Sequence, residues 1–120
     1  MKEKNFAMAG KIKDLLRWEG PEGCLATDRI TVDGAKVGYM YREEPDEESK
    51  MPDSGWRFFA GDESDEYVNN PDNSGIYALN TIANYDPDII PLLASPYGTA
   101  FGRDENGVFQ EEAFEPPEED

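Results

Sequence analysis

The side chains available for chemistry in this sequence are mainly carboxylates, because its 120 residues include 27 Asp and Glu, no histidine and one cysteine. Without histidine, the chain lacks the commonest general base, the usual partner of a Ser or Cys nucleophile and the commonest transition-metal ligand. Cys24 lies in a short apolar run, where a free cysteine is typically a core residue. One thiol forms neither an intramolecular disulfide nor an ordinary zinc site. We therefore expect a protein that is not an enzyme.

Carboxylates leave two other kinds of site to consider, a glycosidase-like acid pair and an oxygen cage for Ca²⁺ or Mg²⁺. The best match to a calcium loop places Asn70, Asp72 and Ser74 at its first, third and fifth positions. Its twelfth position is Thr81 instead of the bidentate glutamate that closes such loops. The sequence also contains no glycine-rich phosphate loop of the form GxxxxGK[ST]. We expect no metal and no cofactor.

The formal net charge of −16 is concentrated after residue 42. Residues 1–42 hold eight Lys and Arg against six acids, whereas residues 43–120 hold three against 21. Such a surface repels nucleic acid and anionic membranes, and it attracts a basic protein in a salt-dependent way. Solubility or a halophilic origin would explain the same acidity, so charge leaves the function open.

Nothing in the sequence predicts a membrane or secretory segment. Residues 1–5 are charged and no apolar h-region follows them. No window approaches the ~20 apolar residues that span a bilayer. With a single cysteine, the chain is predicted to be cytoplasmic.

Hydrophobic periodicity predicts a small α+β domain with a mainly antiparallel sheet and a few short helices. Met8, Ile12, Leu15 and Leu16 share one face of a predicted N-terminal helix. Asn106-Gly107 is a typical hairpin turn. The predicted helical segments or turns cover residues 6–18, 62–70, 80–85 and 88–93, and the predicted strands cover 24–27, 37–42, 56–60, 76–79, 99–102 and 108–110.

Three regions are expected along the chain. Residues 1–22 form an N-terminal helix and lead-in, and residues 23–110 form the α+β domain. Residues 111–120 carry six acids and two prolines and are predicted to be a disordered tail.

A binding surface is predicted where an aromatic strand meets an acidic segment. Most of the aromatic rings are expected in the core, but Trp and Tyr beside acidic loops suit an interface. The candidate partner-binding residues are Trp56, Asp62, Glu63, Asp65 and Glu66. For any single one of these residues, a solvated helix face is the more probable explanation.

Five segments carry a resemblance to a known family: GCLATDRI (23–30), VGYMYRE (37–43), DSGWRFFAGDE (53–63), IYALNTIANYDPDIIPLL (76–93) and PYGTAFGRDENGVF (96–109). Together they resemble the bacterial immunity protein family numbered thirty-three, long catalogued as a domain of unknown function. The resemblance covers about residues 23–110 and leaves the N-terminal segment and the acidic tail outside.

The resemblance implies a cytoplasmic immunity protein of a polymorphic toxin system, which binds and blocks a cognate toxin domain. The family supplies no established catalytic residues to carry over. An acidic inhibitor would suit a basic toxin domain, including one that attacks nucleic acid, because it mimics the phosphate surface. Two other hypotheses stay open: a small stand-alone regulatory or housekeeping module without a toxin, and a carboxylate-based enzyme.

Overall fold

The computed structural model describes residues 6–8, 10–16, 18, 20–44 and 53–112. In this part of the chain, six strands form one sheet and three short α-helices and two 3-10 helices connect them. The strands are β1 (Gly23–Thr27), β2 (Tyr39–Arg42), β3 (Asp53–Phe59), β4 (Ser74–Ala78), β5 (Thr99–Arg103) and β6 (Phe109–Glu112). The α-helices are α1 (Asp28–Thr31), α2 (Asp65–Asn69) and α3 (Leu79–Tyr85), and the 3-10 helices are Pro71–Asn73 and Pro87–Leu92.

The sheet has the strand order β4-β1-β3-β2-β5-β6. Every neighbouring pair is antiparallel except β1 and β3, the second and third strands in this order, which are parallel. The mainly antiparallel sheet with short helices confirms the predicted α+β class.

One face of the sheet forms the hydrophobic core together with α1, α3 and the second 3-10 helix. Alternate residues of the strands point into this core, as the period of two in a strand requires. Each large apolar side chain buried here stabilises the fold by roughly 1.5–3 kcal/mol. The core includes Cys24, Ala26, Ile30, Met40, Trp56, Phe58, Leu79, Ile82, Ile89, Leu93 and Phe101.

The predicted helix over residues 6–18 is wrong for the described residues, which are turns and irregular backbone. Their backbone groups bond to side chains of α3 in place of a helical ladder. The amides of Leu15 and Leu16 donate to Asn80 Oδ1 at 2.7 and 3.1 Å. The Lys13 amide donates to Asn84 Oδ1 at 2.9 Å, and both asparagine side chains donate back to the Lys13 carbonyl. Asn80 and Asn84 are four residues apart and share one face of α3, so both side chains can bond to the backbone of the same segment.

The other predicted elements are confirmed with shifted boundaries. The segment predicted as a helix over 88–93 is the 3-10 helix Pro87–Leu92, and the helix α1 was not predicted. The structure continues β6 through Glu112, so residues 111 and 112 belong to the sheet, contrary to the predicted tail. The rest of that tail, residues 113–120, lies outside the described residues.

A bulge interrupts β3 where it pairs with β1. Gly23 pairs with Asp53, but Leu25 pairs with Arg57, so three residues of β3 stand opposite one residue of β1. Gly55 lies in this bulge with φ of 90°, a left-handed conformation that favours glycine. A Cβ on Gly55 would lie 2.1 Å from the carbonyl oxygen of Glu43. The bulge therefore requires glycine for both conformation and space.

A buried ion pair connects the end of α3 to β5. The fully buried Asp86 accepts a 2.5 Å hydrogen bond from Arg103 and a 3.0 Å bond from the amide of Val37. Its other oxygen accepts from the amide of Asp88 and caps the second 3-10 helix. Both carboxylate oxygens are thus bonded, as a buried charge requires.

Candidate protein-interaction face

The face of the sheet opposite the core, called here the open face, carries apolar and aromatic side chains. Cross-strand pairing aligns one row of residues across four strands: Ile76 opposite Leu25, Leu25 opposite Arg57, and Arg57 opposite Tyr41. Directly paired residues project from the same face of a sheet. The open face is defined by Leu25, Tyr39, Tyr41, Arg57, Phe59 and Ile76.

Three half-buried rings form an aromatic cluster on the open face. Tyr41 and Phe59 are stacked, with ring centroids 5.8 Å apart and planes 14° apart. Tyr39 lies 6.1 Å from Tyr41 and 6.2 Å from Phe59, with tilted planes. Such aromatic pairs add about 0.5–1.5 kcal/mol each beyond the burial of their area, so the three rings stabilise one another.

Aliphatic side chains border the rings on the side of β1 and β4. Leu25 is 37% exposed, Ile76 is 56% exposed and Val68 of α2 is 41% exposed. Val68 and Leu25 line the same cavity, and Leu25 and Ile76 are cross-strand neighbours. Exposed apolar side chains that adjoin one another, as these do, typically mark an interaction site.

Arg57 lies at the centre of the open face between two carboxylates. Its Nε donates to Glu43 at 2.7 Å, and its two terminal nitrogens donate to Asp53 at 2.9 and 2.8 Å. The hydrogen bonds from Arg57 hold the pKa of Asp53 below its ordinary value. Burial, together with the nearby charge of Glu43, raises the pKa of Tyr41. The bulge of β3 folds Asp53 back towards Arg57, four residues along the same strand.

A cavity of about 190 Å³ opens between the sheet and α2. Small-molecule sites usually enclose about 300–1,000 Å³, so this cavity is the size of a single side chain. Its walls combine apolar groups with one ion pair, and its lining includes Leu25, Tyr41, Glu43, Arg57, Phe59 and Val68.

A family comparison identifies the proteins to which the whole domain is related. The model of the immunity protein Imm33 domain matches residues 24–113, which is three quarters of the chain and includes all six strands apart from the first residue of β1. The chain belongs to the Imm33 immunity protein family. Comparisons with curated proteins and with solved structures gave no match.

In this Imm33 protein, Trp56 is a core residue and not a surface contact, contrary to the sequence-based prediction. Its side chain is fully buried, its ring stacks against Phe58 with centroids 6.1 Å apart, and its Nε1 donates to the carbonyl of Leu93 at 3.0 Å. Strand alternation places Trp56 and Phe58 inward and Arg57 and Phe59 outward.

Two of the four predicted acids stabilise the loop between β3 and α2. The Glu63 carboxylate accepts from the Thr27 hydroxyl at 2.5 Å and from the amides of Ala60 and Gly61 at 2.8 Å. Burial opposes ionisation of Glu63, but these hydrogen bonds outweigh it and lower its pKa. Asp62 pairs with Arg29 at 2.7 Å, and hydrogen bonding from that guanidinium lowers the pKa of Asp62.

The other two acids, Asp65 and Glu66, occupy the exposed first turn of α2. Ser64 caps this helix by accepting from the amide of Tyr67 at 3.1 Å. A role for Asp65 and Glu66 in partner binding stays a prediction. The structure separates them from Trp56, which points to the opposite side of the sheet from the cavity beside α2.

Sequence reasoning missed the aromatic residues of the open face as candidate contacts. The alternation of Tyr39, Met40 and Tyr41 predicted a strand, but both sides of that strand are apolar, so the pattern did not show which side is buried. The signal that could have found the face is Arg57 within WRFF. A charged residue inside an apolar strand marks the outward side, and the outward neighbours follow from the period of two.

The described residues contain no group of three or more His, Cys, Asp or Glu side chains arranged to hold a metal ion. Burial raises the pKa of the Cys24 thiol, and the thiol donates to the carbonyl of Tyr77 at 3.3 Å, so Cys24 is a structural core residue as predicted. In the part of the chain that the structure describes, no helix has the length and apolar character needed to cross a membrane.

Proposed function

We propose that this protein is a cytoplasmic bacterial immunity protein that binds a cognate toxin domain and neutralises it without catalysis. Membership of the Imm33 family is the observation that carries this proposal. We further propose that residues 23–110 form the binding domain, which nearly coincides with the family match over 24–113.

The surface chemistry supports a binding role. Aromatic residues and arginine are enriched at the centres of protein interfaces, and the open face contains two tyrosines, a phenylalanine and Arg57. Arg57 is itself buried and is held by Glu43 and Asp53, so it fixes the neighbouring side chains of the face and leaves the exposed apolar ones to contact a partner.

The charge of the chain supports a basic toxin domain as the partner. A net charge of −16 speeds the encounter with a cationic protein and repels nucleic acid. Rapid capture matters for an immunity protein, because the toxin must be bound before it acts. The exposed acids Asp65 and Glu66 contribute to this attraction in our proposal.

The proposal is tested by affinity purification of the tagged full chain from its native lysate, followed by neutralisation. Proteins retained at low salt and released at high salt are identified by mass spectrometry, with an equally acidic unrelated protein as the control. The retained basic protein is then expressed in a bacterial host with and without this chain. We expect growth arrest without the chain, growth with it, and a purified complex at equimolar ratio.

Growth arrest that persists despite a soluble, folded immunity chain would contradict the proposal. Retention of the same proteins by the acidic control would also contradict it, because the binding would then reflect charge alone. In either case, a stand-alone regulatory module without a toxin becomes the better explanation.

A further inference from the structure

We infer that the toxin domain docks on the open face and inserts one Lys or Arg side chain into the cavity between the sheet and α2. This inference rests on the proposed function and names the surface and the chemistry of the contact. Three features support it: apolar exposure, the sign of the charge around the face, and the lining of the cavity.

Apolar exposure is continuous across one side of the open face. Ile76 and Leu25 are paired across β4 and β1, and Leu25 and Val68 line the same cavity. These aliphatic side chains adjoin the stacked rings of Tyr41 and Phe59, which line the same cavity. An aromatic centre with an aliphatic border has the composition of an interface core.

The charged groups at the open face are mainly negative. Glu43, Asp53 and Glu112 lie on it, and Glu63 lies at its edge through its bond to Thr27. Glu112 pairs with Ala100, which in turn pairs with Tyr41, so its side chain projects from the same face. Among these described groups, four carboxylates oppose the single guanidinium of Arg57.

This charge distribution selects the occupant of the face. A second copy of the chain would bring the same excess of carboxylates and a further charge of −16, so self-association through this face is disfavoured. A protein with a cationic surface gains from the same arrangement. We therefore assign the face to the basic toxin domain.

The cavity suits a long cationic side chain. Leu25, Val68 and Phe59 provide apolar walls that would cover an alkyl stem, and Glu43 provides a carboxylate for the charged end. Glu43 is partly exposed although it accepts from Arg57, so its remaining lone pairs can accept from a second cation. The rings of Tyr41 and Phe59 also line the cavity, and aromatic rings attract nearby cations.

The inference is tested by comparing Ile76→Arg with Ile12→Arg. Both replace an exposed isoleucine by the same cation, but Ile12 lies in the N-terminal segment that runs along α3, on the core side of the sheet. Binding is measured by surface plasmon resonance with the purified toxin domain identified above. A cation placed at the border of the face, opposite a cationic toxin domain, should weaken Kd by roughly 30-fold or more, whereas Ile12→Arg should stay within about 3-fold of the wild type.

The cavity is tested separately by two substitutions of Val68. Val68→Phe fills the cavity and should weaken binding by about 10-fold or more, whereas Val68→Ala widens it and should retain binding within about 3-fold. Circular dichroism and thermal unfolding establish that each variant is folded. Equal affinities for Val68→Phe and the wild type would overturn insertion into the cavity.

The outcomes separate this inference from the proposed function. If the wild type binds and neutralises the toxin but Ile76→Arg does so equally well, the toxin uses another surface and the open face is rejected. If the wild type neither binds nor neutralises, both proposals are rejected together. A wild-type dimer in light scattering that Ile76→Arg dissociates would show a second copy on the face and would also overturn the inference.

Discussion

Asp86 and Asp88 illustrate how the surroundings of a residue decide its energetic weight, because both carboxylates contact Arg103. Asp86 is fully buried and also accepts from two backbone amides, whereas the side chain of Asp88 is 60% exposed and lies 3.3 Å from the guanidinium. Removing one partner of a buried pair leaves the other charge uncompensated.

We expect Asp86→Ala to lower the free energy of unfolding by about 3–5 kcal/mol, and Asp88→Ala by less than about 1 kcal/mol. Urea unfolding followed by tryptophan fluorescence measures both. Similar losses for the two variants would show that burial of Asp86 does not set the strength of the pair.

Single residues also show how far the sequence predicts the site. The strand predicted over residues 56–60 is confirmed as part of β3, but Trp56 was predicted as a partner contact and lies in the core. A tryptophan suits both an interface and a core, so residue type does not distinguish them. The position of Glu63 was equally hidden, because its partner Thr27 is 36 residues away in the sequence.

The bulge of β3 determines the geometry of the open face at the scale of one element. It lets Asp53 reach Arg57 and brings the backbone of Gly55 next to the carbonyl of Glu43. Gly107, in the turn between β5 and β6, also has positive φ, but nothing lies within 4 Å of the place where its Cβ would be. Substitutions at these two glycines therefore distinguish the cost of the left-handed conformation, which both share, from the cost of a steric clash, which only the first incurs.

We expect Gly107→Ala to lower the free energy of unfolding by about 1 kcal/mol, because only the left-handed conformation is penalised. Gly55→Ala should lower the free energy of unfolding by clearly more, because a backbone clash that forces β2 and β3 apart adds to the same conformational penalty. Thermal unfolding by calorimetry compares them. Equal losses would mean that the bulge relaxes without affecting the strand pairing.

The strands, in which apolar side chains alternate with a period of two, were predicted well, whereas the N-terminal segment was not. The apolar positions from Met8 to Leu16 fit a helix, yet the backbone there bonds to Asn80 and Asn84 of α3. Periodicity measures only the distribution of apolar side chains and does not detect a competing set of hydrogen-bond partners about 65 to 71 residues away. Such long-range partners are the general reason that local patterns fail.

At the scale of the whole molecule, stability depends on carboxylates that are more acidic in the folded state. The pKa of Asp53 is lowered chiefly by Arg57, and the pKa of Glu63 is lowered by hydrogen bonds that outweigh its burial. A carboxyl whose pKa is depressed by folding stabilises the fold above its ordinary pKa near 4. That contribution is lost as the pH falls through the folded value.

We therefore expect the difference in unfolding free energy between the wild type and Asp53→Asn to be largest near neutral pH. It should shrink as the pH falls from about 5 to about 2. Urea titrations at several pH values measure it, with Val108→Ala as a control that changes no ionisable group. The overall relief of charge repulsion in acid affects both proteins alike and cancels in the difference. If the difference in unfolding free energy between the wild type and Asp53→Asn is constant with pH, the charge of Asp53 does not contribute to stability.

The parallel pairing of β1 with β3 inside the sheet affects how the protein folds. Gly23 and Asp53 are neighbours across this pairing although 30 residues separate them, and β4 then adds to the outer side of β1. Contacts between distant parts of a chain slow folding, because the intervening loop must close before the strands meet. The row from Ile76 to Tyr41 therefore cannot assemble during synthesis until β4 has left the ribosome. A newly made chain completes its open face late, so under our proposal a fragment that ends before β4 should not protect against the toxin domain.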